Sequence, residues 1–124
     1  MIQKQDLRIG NSVMYDNRVF QIAAISDEFP MLNTAEFGIG VVDWNNIHPI
    51  PITEDALKDM RFEQDIFGDY ANENIYELLL QIDLISCRIS VNSDDRRVDF
   101  KGIHNLQNYV YTNYQTELIY EPTH

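Results

Sequence analysis

Residues 7–26 constrain the fold more than any other stretch. They read Leu-Arg-Ile-Gly-Asn-Ser-Val-Met-Tyr-Asp-Asn-Arg-Val-Phe-Gln-Ile-Ala-Ala-Ile-Ser. Residues 11–15 and 18–26 are rich in β-branched and aromatic side chains, which suit a pleated, half-buried surface. Asp16-Asn17 separates them, and both residue types tolerate the left-handed conformation of a two-residue hairpin turn. Gly10 stands just ahead of the first strand, where glycine permits a bend without a Cβ clash. In the second strand Val19, Gln21, Ala23 and Ile25 share one face, and Phe20, Ile22 and Ala24 the other. Neither face is strongly polar, so cover on both sides is expected.

The succession of an apolar residue, Ile9-Gly10-Asn11, Val13, the turn, and then Val19 and Ile22 resembles the first hairpin of an SH3-like barrel. Residues 31–37 and 39–44 read as two further strands about Gly38, with Gly40 expected at a bulge. Trp44, the single tryptophan, is expected to anchor the core of this first sheet. Residues 47–52, Ile-His-Pro-Ile-Pro-Ile, form an extended connector, because each proline biases its predecessor away from helix. The expected division is therefore an SH3-like β lobe over 1–48 and an α+β lobe over 49–124, the two able to form one compact domain.

In the second lobe Thr53 is the N-cap of a short helix over 54–60, with Glu54 and Asp55 at the positive end of its dipole. Residues 61–74 read as an acidic loop anchored by Phe62, Ile66, Phe67 and Tyr70. Strand character resumes over 73–85, 87–91 and 97–101, with a turn at 92–95 and a self-compensating hairpin tip at Asp94–Arg97. The strongest helix is 104–118, where Leu106, Val110, Tyr114 and Leu118 recur at i, i+4. The fold class expected is α+β: an N-terminal SH3-like small barrel, then an antiparallel sheet of about three strands packed by a C-terminal helix.

Composition narrows the function. The 124 residues carry 20 acids and 9 bases, a net charge of −11. Nine of the acids lie within 54–83. Direct binding to a phosphate backbone needs clustered Lys and Arg, so direct nucleic-acid binding is not expected. A negative surface suits a basic protein partner or simple solubility. One cysteine, Cys87, allows no internal disulfide. No apolar leader opens the chain and no run approaches a membrane span, so the expected setting is cytoplasmic, with no membrane partner.

Most chemistries find no support. His48, His104, His124 and Cys87 lack zinc-ligand spacing. Asp65, Asp69 and Glu73 fall at i, i+4, i+8, but Tyr70 stands where a calcium loop requires glycine. Cys87 reads as a small apolar strand residue. The five glycines are scattered, so no phosphate-cradling loop is formed. No catalytic residue, metal ligand or cofactor is assigned.

One polar cluster stands out. His104, Asn105, Gln107 and Asn108 gather at the start of the last helix, either as a recognition patch or as caps and hydrogen bonds that dock the helix. Tyr109, Tyr111, Tyr114 and Tyr120 crowd the same region. Tyr111 lies about 100° round from the buried row, and exposed tyrosines favour interfaces. His104, Asn105, Gln107, Asn108 and Tyr111 are therefore the candidate binding residues, for a protein partner or for self-association.

Three pieces of sequence occur in a telling order. They are Leu-Arg-Ile-Gly-Asn-x-Val at 7–13, Pro-Ile-Pro-Ile-Thr-Glu-Asp-x-Leu at 49–57 followed by Phe62-Glu63, and Ile-His-Asn-Leu-Gln-Asn-Tyr-Val-Tyr-x-x-Tyr-x-x-Glu-Leu at 103–118. Together they resemble a family of small uncharacterised proteins from Bacteroides-group bacteria, their prophages and mobile elements. Members end in a helix of the form Val-His-Gln-Leu-Gln-Asn-Leu-Tyr-Phe-Ala-Leu-Thr-Gly-x-Glu-Leu. His104, Leu106, Gln107, Asn108, Glu117 and Leu118 match it directly, and Tyr111 keeps an aromatic ring. The chain departs from it at Asn105, at the order of Tyr109 and Val110, and at Gln115. The resemblance implies a phage or mobile-element setting and no particular reaction. The function expected is a non-enzymatic accessory protein acting through protein contacts. The alternative is an acidic inhibitor, a nucleic-acid mimic that blocks a host defence or DNA-handling protein.

Overall fold

The computed structural model describes residues 2, 4–26, 29–34, 38–66, 68–72, 75–83, 88–91, 97–99 and 101–122. The expectations placed on Phe67, Glu73, residues 84–87 with Cys87, residues 92–96, Phe100 and His124 lie outside them. The fold is α+β, with two antiparallel sheets and a C-terminal helix. The chain divides into two compact units, Met1–Ile50 with Gly102–Tyr109, and Pro51–Lys101 with Val110–His124. It passes from the first to the second inside the proline connector and returns through the start of the last helix.

The first unit is a four-stranded meander of β1 (Ser12–Tyr15), β2 (Arg18–Ile25), β3 (Pro30–Thr34) and β4 (Gly38–Val41), in that spatial order. The β1–β2 turn is as expected: Asp16 and Asn17 both take positive φ, 50° and 60°, the mirror-image turn whose twist matches the strands. Gly10 has φ 96°, and its N–H donates to the Ile22 carbonyl at 2.9 Å. The bulge falls between Ile22 and Ala24 of β2. Gly40, expected there, sits instead in regular register opposite Leu32.

The core of this unit is Ile2, Leu7, Val13, Ile22, Leu32 and Ile47. Tyr15, Phe20, Ile25, Val42 and Trp44 pack on it while keeping some exposure. Trp44 thus borders the core from a 3-10 turn, Trp44–Asn46, which Asp43 caps by accepting the Asn45 N–H at 3.0 Å. The sheet is open, with β1 and β4 at its edges. Only Ile22 of β2 is buried, so the cover expected on both sides of that strand is incomplete.

Among the described residues the second unit has five strands where about three were expected. They are β5 (Phe62–Gln64), β6 (Tyr70–Asn72), β7 (Ile75–Asp83), β8 (Arg88–Val91) and β9 (Arg97–Asp99), in sequential order. The two unexpected strands, β5 and β6, occupy the acidic "loop". Asp65 folds the chain there: its carboxylate accepts the Asp69 N–H at 3.0 Å, and its own N–H donates to the Asp69 carbonyl at 2.8 Å. Gly68 supplies the left-handed residue, φ 89°. An acid that looks like solvated charge in sequence is here a turn former.

Helix α1 (Glu54–Asp59) precedes β5 and begins as expected, with the Thr53 hydroxyl accepting the Ala56 N–H at 3.1 Å. Arg61 ends it at φ 68°, the left-handed residue that terminates many helices. Asn72 donates to the Met60 carbonyl at 3.0 Å, capping that end from β6. Helix α2 spans Ile103–Tyr114, one residue earlier than expected at its start and four shorter at its end. Gln115 turns left-handed at φ 52°. Leu118, expected on the helical row, is buried from a non-helical tail.

Gly102 opens α2 at a close approach. A Cβ there would lie 2.7 Å from Pro49 Cβ, 3.0 Å from the Ile50 carbonyl oxygen and 3.1 Å from His104 Nδ1. The Ile103 N–H donates to the same Ile50 carbonyl at 2.9 Å, so the backbone has little room to retreat. Gly102→Ala is expected to destabilise the protein by about 1–3 kcal/mol, read as a lower denaturant midpoint.

In the second unit, burial raises the Tyr70 hydroxyl above its ordinary pKa of 10.0, and the Glu54 carboxylate adds to the rise. Tyr120 is raised in the same way, by burial and then by Asp59. Because the folded state favours the neutral phenol, this contribution is complete below pH 10 and is lost as pH climbs through the folded value. The denaturation midpoint should therefore fall as pH rises above 10.0, the ordinary value that both hydroxyls exceed in the folded state. Tyr70→Phe should show the smaller fall.

Candidate functional site

The polar residues singled out at the start of α2 meet the beginning of β1, within the first unit. Strand β1 pairs with β2 through Val13–Phe20 and Tyr15–Arg18. The Ile22 N–H donates to the Asn11 carbonyl at 2.8 Å, which sets the alternation of the ladder. By that alternation Ser12 and Met14 turn their backbone groups outward, to the edge. An edge strand with bare amides invites a further strand, and both positions are occupied here.

At Met14 the occupant is backbone. The Met14 N–H donates to the His48 carbonyl at 2.9 Å, and the His48 N–H to the Met14 carbonyl at 2.8 Å. At Ser12 the occupant is a side chain. Gln107 Oε1 accepts the Ser12 N–H at 2.8 Å, and Gln107 Nε2 reaches the Ser12 hydroxyl at 3.5 Å. The Gln107 amide thus stands where the peptide group of another strand would stand. Ser12 and Gln107 are both buried.

Asn11 continues the seam. Its Oδ1 accepts the Arg8 N–H at 2.6 Å and its Nδ2 donates to Asn108 Oδ1 at 2.8 Å. Asn11 Nδ2 also lies 3.4 Å from Gln107 Oε1. Asn108 Nδ2 in turn donates to the Asp6 carbonyl at 2.8 Å. Asn105 acts locally, its Oδ1 accepting the Gly102 N–H at 3.2 Å while its own N–H donates to the Gly102 carbonyl at 3.1 Å. Such reciprocal bonds satisfy donors and acceptors that a helix start leaves open.

His104 is buried, with Nδ1 enclosed beside Gly102. His104, Asn105, Gln107 and Asn108 are therefore brought together in the first unit. Tyr111 belongs to the second unit and is 43% exposed. Asn11 and Ser12 complete the seam and were not among the residues expected. Their signal in sequence is weak, two polar residues heading an apolar strand directly after a glycine.

A solvent-open recess of about 610 Å³ lies nearby in the same unit, lined by Met14, Tyr15, Asp16, Asn17, Asn46 and His48. Asp16, Asn17, Asn46 and His48 are exposed, so water surrounds their polar groups. The recess offers hydrogen-bonding groups without an enclosed acid–base pair. Among the described residues no three His, Cys, Asp or Glu side chains gather to hold a metal ion. No described helix is long and apolar enough to cross a membrane.

Replacing Gln107 by leucine keeps the volume and removes the acceptor. The Ser12 N–H is then buried without a partner, at a cost of about 1–3 kcal/mol. Gln107→Leu should lower stability by that amount. It should also speed hydrogen exchange at the Ser12 amide while the Met14 amide, held by His48, keeps its protection. Comparison with protein-family models, curated proteins and solved structures gives no match for this chain.

Proposed function

We propose that the protein is a non-enzymatic accessory factor, of phage or mobile-element origin and cytoplasmic, that acts by binding another protein. The observation carrying this is Tyr111, an aromatic side chain 43% exposed on α2. Nearby on the chain, Ile119 is also exposed. Large side chains held in water are the usual anchors of protein interfaces. At the start of the helix the side chains of Asn105, Gln107 and Asn108 bond within the chain, so the reading rests on Tyr111.

The first hairpin supports an SH3-like architecture for the first unit. The two-residue hairpin turn of β1–β2 opens a four-strand meander, and His48 returns to bridge Met14. This likeness concerns architecture and carries no ligand with it.

The acidic surface favours a second reading, mimicry of nucleic acid. Glu54, Asp55, Glu63 and Asp65 are all exposed on the second unit, within a chain of net charge −11. Affinity capture from host lysate at low and high salt separates the two. Contact through Tyr111 gives a partner retained at high salt, and Tyr111→Ser weakens that complex by about 2 kcal/mol or more. Mimicry gives a basic partner that salt releases and Tyr111→Ser leaves unchanged. Recovery of no partner at either salt overturns both.

A further inference from the structure

The recess of the first unit is lined by Met14, Tyr15, Asp16, Asn17, Asn46 and His48, with a volume of about 610 Å³. Its walls are fixed by the backbone. Asp16 and Asn17 stand in the left-handed turn at φ 50° and 60°. His48 is held to Met14 by two backbone hydrogen bonds, and the Asn46 N–H donates to the Asp43 carbonyl at 3.0 Å. The Tyr15 ring rests against Phe20 in an edge contact, with centroids 6.0 Å apart. Elsewhere in the unit polar side chains bond within the chain, as those of Asn11, Ser26, Asp43 and Gln107 do. Among the described residues, the side chains of Tyr15, Asp16, Asn17, Asn46 and His48 make no such hydrogen bond. Their bonding capacity is open to a ligand.

We infer that this recess takes the side chain of an arginine presented by the partner protein. The inference rests on the proposed reading of the chain as a protein-binding factor, and names what that partner must offer. The chemistry of the lining selects a guanidinium. Asp16 is its one carboxylate, and neither Lys nor Arg lines it to receive a phosphate or a carboxylate. Arg18, opposite Tyr15 across the turn, is exposed and lies outside the lining. The Asn17 and Asn46 amides add carbonyl oxygens and the His48 imidazole a ring nitrogen, which suits a group of five donors and no acceptor. The Tyr15 ring supplies a π system on which a planar cation stacks. Met14 gives polarizable apolar contact to the aliphatic stem. An ammonium is a compact, strongly hydrated charge that uses neither the fork nor the stacking. A net charge of −11 draws a cationic partner toward the chain. Walls held in place before binding spare the cost of ordering them. The recess is open to water, so the single contact is weak and adds to a wider interface.

Titration of the full chain with N-acetylarginine methylamide, followed by amide chemical shifts, tests this. The expected result is saturable shifts at the amides of Asp16, Asn17, Asn46 and His48, with a Kd of about 1–10 mM that weakens as salt rises. The citrulline analogue has the same shape and no charge, and should bind about fivefold more weakly or worse. Asp16→Asn keeps a residue that tolerates the left-handed turn, and should weaken arginine binding about threefold or more. Absence of saturable shifts at these amides overturns the inference. So does equal binding of the citrulline analogue, or an Asp16→Asn chain that binds arginine as before. The titration needs no partner, and Tyr111→Ser should leave it unchanged, so its failure is told apart from failure of partner capture. In the capture experiment Asp16→Asn should reduce retention of the partner. A partner held equally well overturns the arginine contact and leaves the proposed function standing.

Discussion

The Gln107 amide, seated against the Ser12 backbone, is the contact on which the first unit depends. A β-sheet edge must end somewhere, and its outward peptide groups need partners when they are buried. Here the end is made by a side chain that imitates a peptide group in size and in bonding. The imitation joins a helix start to a strand start, positions separated by 95 residues. Asn11 and Asn108 extend it, and Asn108 fastens the segment before the strand through the Asp6 carbonyl. Amides carry no charge, so this seam is buried without the desolvation cost of ions. It asks for geometry in return, since each group is satisfied only in one arrangement.

The same logic explains the character of the β1 edge. There the chain uses its own helix and connector to fill the ladder. Burial elsewhere in the unit is ordinary: a small apolar core under a meander, with Trp44 and Tyr15 at its margin. The unusual feature is thus how the edge backbone is satisfied, and no list of side-chain types would reveal it.

What could be foreseen from sequence was local. Asp16-Asn17 fixed the first turn because few residues accept two successive left-handed conformations. Thr53 fixed the start of α1 because the hydroxyl and the acids after it all favour a helix beginning. The last helix followed from its apolar period, although Gln115 ends it before that period does. The β5–β6 hairpin was hidden because Asp65 and Asp69 look like solvent-facing charge until the chain folds back on itself. The role of Gln107 was harder still. Its neighbourhood on the helix marked it as polar and interesting, yet its partner lies near the other end of the chain. No single cut of the sequence could show that residues 102–109 belong with the first fifty.

That discontinuity orders events during synthesis. The first sheet can begin to pair as soon as its strands leave the ribosome, while the residue that closes its β1 edge is still to be made. At roughly 5–20 residues per second, Gln107 follows Ser12 by about 5–20 s. During that interval the β1 edge stays open at Ser12, and residues 51–101 of the second unit emerge in the meantime. The protein therefore lives briefly as a species with an incomplete border, and its first unit is completed only after residues 51–101 have been made.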